Sequence, residues 1–155
     1  MKLRKAVLSD INVITGLWKD MMLLHQKYDR YFSLEEKAEK AYQKYAKENI
    51  QSGSNFFKVC LDEKNYIVGY VLADIIEYPP IYPVKRFIEI IEMVVRKDQR
   101  RKGIGETMLK DVLYWAKEKS ITRVEYKVAL KNPISQGFWK KNGFRGYCES
   151  LVLEI

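Results

Sequence analysis

The order of elements read along the chain, β-α-α-β-β-β-α-β-α-β, predicts a mixed α/β fold: one central sheet sandwiched between helices on both faces. Three observations carry this. Apolar residues recur at helical spacing in four separate segments, Glu63-Lys64-Asn65 joins two strand-like runs as a hairpin, and residues 87–96 are apolar on both faces, as a central strand should be. A chain of 155 residues fits one domain, residues 1–155, with a core of useful size.

Residues 3–6 form a short first strand. Ser9-Asp10 cap a helix running to about Tyr28, with Ile14, Leu17, Trp18, Met21 and His25 on one stripe. Ser33-Leu34-Glu35-Glu36 fits a capping box, in which Ser33 and Glu36 each satisfy a free backbone donor, and that helix continues through Ala38, Ala41, Tyr42, Tyr45 and Ala46 to about Gln51. Residues 56–62 and 67–76 are the hairpin strands. Pro79-Pro80-Ile81-Tyr82-Pro83 then forbids regular structure, because proline lacks the N–H. After the central strand, residues 105–120 form a helix with Met108, Leu109, Val112, Leu113 and Ala116 inward. Residues 123–128 are a strand, 133–142 a short helix, and 147–155 a final strand or tight pair of strands.

Composition bounds the partners. The net charge of +8 is unevenly placed: residues 1–78 carry 12 Lys/Arg against 11 Asp/Glu, and residues 79–155 carry 16 against 9. A basic half suggests an anionic partner, though a charge sum alone does not separate nucleic acid from a phosphorylated small molecule. No run approaches the roughly 20 apolar residues needed to span a bilayer, so no membrane association is expected. The N-terminus leads into Ser9-Asp10 without a signal-like apolar run, and Cys60 and Cys148 have neither metal-ligand spacing nor a disulfide framework. The expectation is a cytoplasmic protein with no metal.

The densest signal is Arg100-Arg101-Lys102-Gly103-Ile104-Gly105 between the central strand and the next helix. A helix starting at Gly105 exposes unpaired N–H groups and the positive end of its dipole. Gly103 and Gly105 remove side chains that would hold an anion away, and three cations surround the loop, the parts of a phosphate site at a helix N-terminus. A Walker loop is excluded because Gly105 is followed by Glu106-Thr107, and a dinucleotide fingerprint lacks its third glycine at Met108. Glu125 lies where a ribose-binding acid could stand, but inside a strand.

Here the chain resembles the GNAT superfamily of N-acetyltransferases. Arg100-x-x-Gly103-x-Gly105 matches its Arg/Gln-x-x-Gly-x-Gly/Ala signature, Val68-Gly69-Tyr70 looks like its third strand, and the run from Asn132 through Phe138, Trp139 and Gly143 to Phe144 is similar to its Asn-x-x-Ala-x-x-Phe-Tyr-x-x-x-Gly-Phe segment. The likeness spans essentially the whole chain. It implies a mostly antiparallel sheet with one splayed parallel strand pair, residues 87–96 against 123–128. It also implies acetyl-coenzyme A as donor, its pyrophosphate on the amides of Arg101, Lys102, Gly103, Ile104 and Gly105, and its pantetheine in the splay against backbone near Met93, Val94 and Val95. Asn132 would bond the pantetheine arm, and Ser135 and Phe138 would line the channel.

An amine nucleophile must lose a proton, its pKa being near ~10.4 for a lysine and ~8 for an α-amine. Family members that use a glutamate take it from the central strand, and Glu92 is favoured over Glu89. By simple alternation Glu92 shares a face with Ile88, Ile90 and Val94, and Glu89 with Ile91, Met93 and Val95; a bulge would reverse that parity. A structural ion pair with a neighbouring Arg or Lys is the competing role for either. A strand N–H, of Val94 or Val95, would hold the oxyanion. Where many relatives have a proton-donating tyrosine this chain has Trp139, whose indole is no acid at neutral pH. Trp139 is expected to shape the channel wall, leaving Tyr126, Tyr147 or water for the leaving thiolate. His25 is expected to pack, and Tyr28, Tyr31, Phe32, Tyr78 and Tyr82 to border the acceptor site. The acceptor is expected to be a small-molecule or peptide amine that the sequence does not specify further. The alternatives are a catalytically silent acyl-coenzyme A binder and a basic nucleic-acid-binding module, the latter disfavoured because the cations cluster at a loop and no binding motif is present. A homodimer through an exposed strand at residues 151–155 is a further expectation.

Overall fold

The computed structural model describes residues 1–155. Strand β1 (Lys2–Lys5) leads to helix α1 (Ile11–His25) and helix α2 (Ala38–Ser52); strands β2 (Phe56–Leu61), β3 (Ile67–Glu77) and β4 (Arg86–Val95) follow, then helix α3 (Ile104–Glu118), strand β5 (Val124–Tyr126) and helix α4 (Pro133–Lys141). The strands form one sheet in the order β1-β2-β3-β4-β5. Neighbours run antiparallel except β4 and β5, which are parallel. A parallel neighbour requires a crossover, and α3 supplies it.

Alternation along the strands feeds two cores, one on each face of the sheet. On one face Phe56, Cys60, Val71, Ala73, Ile88 and Ile90 meet α3 through Met108, Leu109, Val112 and Trp115, and α4 through Trp139. On the other Phe57, Val59, Tyr70, Leu72 and Val94 meet α1 through Ile14, Leu17 and Trp18, and α2 through Tyr42 and Ala46. The mixed fold with helices on both faces is therefore as the periodicities predicted.

Several local expectations fail. Asp10 precedes α1 without a side-chain cap on it, its carboxylate being taken by Arg4 and the Val7 N–H, and Leu113, expected inward on α3, is exposed. Ser33 and Glu36 do not form a capping box. Asp29 instead caps a single turn at Arg30–Phe32 by accepting from the Tyr31 N–H (2.9 Å), Ser33 closes that turn in extended conformation, and α2 begins at Ala38. Residues 147–155 form no strand: Leu151, Val152, Leu153 and Ile155 are exposed. The sheet edge they would have extended is β5, three residues long, too short to template a second long strand. The segment is tied down at its ends instead, by Tyr147 to Glu125 and by Glu154 to Arg30. The exposed final strand expected to carry a dimer is thus absent.

Candidate active site

The loop between β4 and α3 makes a single turn at Lys97–Gln99 and then enters the left-handed region twice, at Arg101 (φ 61°) and Gly103 (φ 77°). Such reversals turn successive amides toward one point, the backbone geometry of a nest. No N–H of residues 101–106 has a partner within the chain; the first helical bond is Thr107 N–H to Gly103 O (2.9 Å). Unsatisfied donors at a helix start require an acceptor from outside. The cations differ in freedom. Arg100 Nε donates to Val95 O (3.2 Å) and Lys102 Nζ to Gln99 Oε1 (3.0 Å), whereas Arg101 makes no side-chain bond. Ile104 contributes only its N–H, its side chain being buried under the helix. At Gly105 a Cβ would stand 3.1 Å from the Phe138 ring, so the glycine admits the close approach of α4.

Beside this loop the sheet opens. β4 and β5 pair only at Ile88 with Val124, Glu89 with Glu125 and Ile90 with Tyr126; from Ile91 onward β4 has no neighbour on that side. Arg96 N–H donates to Val68 O (2.8 Å), so the opposed pairs two and four residues back, Val94 with Tyr70 and Glu92 with Leu72, are also the hydrogen-bonded ones. The Val94 N–H, expected to serve an oxyanion, is therefore spent on β3. Met93 and Val95 turn their peptide groups into the gap, where Arg100 already meets the Val95 carbonyl.

The register jumps from Leu72 opposite Glu92 to Ala73 opposite Ile90, leaving Ile91 as an extra residue. This bulge changes which face each side chain occupies. Ile88 and Ile90 belong to the α3 core while Val94 belongs to the α1/α2 core, so Glu92 does not share a face with Ile88 and Ile90 as simple alternation had it. Glu89 ends on the α1/α2 face as well, where it receives Lys127 Nζ (2.7 Å), the structural ion pair considered for it. Glu92 is 8% exposed and has no cation. Its Oε2 accepts from Tyr42 Oη (2.6 Å) and from Tyr70 Oη (2.8 Å), and the two hydroxyls are 3.1 Å apart. Burial pushes the Glu92 carboxyl above its ordinary value, and the two hydroxyls pull part of that rise back. Burial and the Glu92 charge hold both phenols protonated. The Tyr42 ring is fixed by stacking on Trp18 (centroids 4.2 Å, 9°).

Across the gap, Asn132 caps α4, its Oδ1 accepting from Ser135 N–H (3.0 Å). Trp139 Nε1 donates to Ser135 Oγ (3.1 Å), and the indole stacks on Tyr126 (4.1 Å, 28°) with Phe138 edge-on. Burial raises the Tyr126 hydroxyl; the neighbouring Ser135 side chain eases that rise, and the Glu92 charge adds to it. Tyr147 is occupied elsewhere, donating to Glu125 Oε2 (2.7 Å) under the Arg123 guanidinium, while Tyr78 donates to Oε1 (2.6 Å). Glu125 thus anchors side chains and does not face a ligand loop. His25 packs against Tyr28 and Phe32, its Nδ1 2.9 Å from Met21 O. What the sequence missed is the Tyr42–Tyr70–Glu92 cluster. Both tyrosines sat on apolar stripes, and no local signal joins positions 28 and 50 residues apart.

The site is thus a loop of free amides beside the gap where the one parallel strand pair of the sheet parts. The sequence pattern of the Acetyltransferase (GNAT) family matches residues 18–144, and the chain belongs to that family. No curated protein matches it. Among solved structures, a tetramutant protein from Bacillus halodurans superposes over all of both chains with TM-score 0.90 at 18% identity. A predicted acetyltransferase with acetyl-CoA from Clostridium acetobutylicum superposes with TM-score 0.79 at 23% identity, covering 99% of this chain and 95% of that one. The aminoglycoside antibiotic 6'-N-acetyltransferase of Acinetobacter haemolyticus gives 0.78 at 16% identity over 100% and 98%. At these identities the likeness is one of fold.

Proposed function

We propose that this acetyltransferase moves an acetyl group from acetyl-coenzyme A to a primary amine by direct attack in a ternary complex. The observation that carries the reading is the run of free amides at residues 101–106 beside the open edge of β4, with the buried Glu92 on the adjoining stretch of the same strand. The nest fits a pyrophosphate by its donors and by Arg101. The outward peptide groups of Met93 and Val95 fit the amide groups of a pantetheine arm. Bound acetyl-coenzyme A would supply an activated thioester.

The chain's residues then divide the work. Glu92 takes a proton from the acceptor's ammonium, directly or through a water, freeing the nitrogen lone pair to form the new C–N bond. The Val95 N–H donates to the carbonyl oxygen as it gains charge. Tyr126, which burial keeps protonated and which stacks on Trp139, would give its proton to the leaving sulfur as the C–S bond breaks and regain one, directly or through water, from the newly bonded nitrogen, which must shed its second proton. A thiol with pKa near ~8.5 also tolerates leaving unassisted. Ser135 and Trp139 hold Tyr126 in place, and Asn132 holds the start of α4.

Release of coenzyme A thiol across a panel of amines and peptides tests this. Turnover with at least one amine is expected, and Glu92→Gln should lower kcat by about 10²–10⁴-fold. Tight coenzyme A binding with no turnover anywhere would establish the silent binder instead. DNA affinity falling steeply with salt, without coenzyme A binding, would establish the nucleic-acid module.

A further inference from the structure

Glu92 meets hydroxyl groups and no cation: Tyr42 from α2 and Tyr70 from β3 bond it, with Trp18 from α1 behind Tyr42, while Tyr45 from α2 and Tyr126 from β5, the latter packed in the core on the other face of the sheet, feel its charge without touching it. The nearby carboxylate Glu89 is neutralised by Lys127, which is not among these groups, and Asp74 stands opposite Glu89 in the ladder. A buried carboxylate without a counter-charge is costly to ionise, so whatever makes Glu92 usable as a base must come from those hydroxyls. Two of them reach it, and both reach the same oxygen.

Resting on the reading of Glu92 as base, we propose that Tyr42 and Tyr70 are positioning residues: a hydroxyl clamp on Oε2 that keeps the carboxylate ionised and leaves Oε1 to receive the acceptor's proton. The proton count supports it. Each phenol has one hydrogen, and with Glu92 ionised both are donated to Oε2. Once Oε1 carries a proton, Oε2 is a carbonyl oxygen and a weaker acceptor. At 3.1 Å one hydroxyl can then turn to the other, so neither is stranded in the interior. The clamp therefore favours the ionised form yet accommodates the protonated one. Trp18, by stacking on Tyr42, fixes the clamp from α1.

The test compares wild type with Tyr42→Phe, Tyr70→Phe and the double variant, reading kcat against pH at saturating acetyl-coenzyme A and amine. Removing a donor to the carboxylate raises its proton affinity. A hydrogen bond to a charged group is of the size that shifts a titration by about one to two pH units. The acid limb of kcat should therefore move to higher pH by that amount in each single variant and further in the double, with KM for acetyl-coenzyme A unchanged. Carbon-13 labelling of glutamate side chains, with the Glu92 signal assigned through Glu92→Gln, reads the same titration in the unliganded protein without activity. A melting temperature that falls while the acid limb and the Glu92 titration stay in place would overturn the clamp. Full activity in Glu92→Gln would instead overturn the base, whatever the tyrosine variants do to the carbon-13 titration. Should Tyr70→Phe fail to fold, Tyr42→Phe, at the less enclosed of the two rings, decides the matter alone.

Discussion

Gly69→Ala is a sharp test of how the splay is built. Gly69 lies in β3 opposite Val95, and a Cβ there would sit 2.6 Å from the Val94 carbonyl oxygen, with Met108 Cε and Val95 Cα each at 3.5 Å. The near atom is backbone, so no rotamer change relieves the contact. Reaching even 3.0 Å requires β4 to move about 0.4 Å away from β3 at the residues whose amides face the gap. Overpacking of this kind costs about 1–3 kcal/mol, which for a chain of this length lowers the melting temperature by about 2–12 °C. The function should suffer separately. Val95 shifts into the gap where the proposed pantetheine arm would lie, and because misplacement by an ångström costs about 10²-fold, KM for acetyl-coenzyme A should rise by about 10-fold. Thermal melting and acetyl-coenzyme A titration measure the two effects. Gly16→Ala is the control: nothing lies within 4 Å of that position on α1, so alanine should stabilise by about 0.4–1 kcal/mol. If Gly69→Ala melts and binds like wild type, β3 and β4 are not in contact as described, and the placement of Val95 at the gap fails with it.

Other perturbations separate the parts of the site. Trp139→Ala removes a buried indole stacked on Tyr126 and bonded to Ser135; it should cost about 3–5 kcal/mol in denaturant unfolding. Arg101→Ala removes the one cation among Arg100, Arg101 and Lys102 without a side-chain bond; it should weaken coenzyme A binding more in low salt than in high salt by calorimetry, with the melting temperature unchanged. Asp10 is held by Arg4 (2.6 and 2.9 Å) and the Val7 N–H (2.9 Å). Burial pushes its carboxyl up, but those bonds and the Arg4 charge outweigh it, leaving it below its ordinary value. A depressed carboxyl stabilises the fold above its unfolded pKa, near ~3.9, and loses that contribution as pH falls through the folded value. The melting-temperature gap between Asp10→Asn and wild type should therefore be widest near neutral pH and close below about pH 4.

The legible parts of the sequence were those whose parts lie next to one another. The loop at Arg100 to Gly105 declares itself because strand end, cations, glycines and helix start are contiguous, and its free amides follow from helix geometry alone. The sandwich was legible because each element's periodicity names its buried face. The capping box was a false local signal: Ser33 and Glu36 have the right spacing, but Asp29 closes a different turn first. The final strand failed because its formation depends on the length of its neighbour, β5, which residues 147–155 do not encode. The Glu92 clamp was illegible for the same reason. Tyr42 and Tyr70 look like core residues, and only the register of β3 against β4 and the packing of α2 bring their hydroxyls to one oxygen.

One residue of excess length in β4 connects both halves of the chemistry. Were Ile91 paired in regular alternation instead of bulged, Glu92 would follow Ile88 and Ile90 into the α3 core, away from Tyr42 and Tyr70, while Met93 and Val95 would turn toward α1 and α2. With the bulge, the carboxylate goes to the α1/α2 side, and the Met93 and Val95 peptide groups still face the gap beside β5. The bulge also falls one residue after Ile90, where β4 loses its parallel neighbour, so the bend it imposes and the parting of the strands coincide. Deleting Ile91 would restore regular pairing with Ile90 still opposite Ala73 and Glu92 still opposite Leu72, each on its present face, and would remove only the bend. It should leave the Glu92 titration in place while weakening coenzyme A binding at the gap, a separation no point substitution at Glu92 can produce.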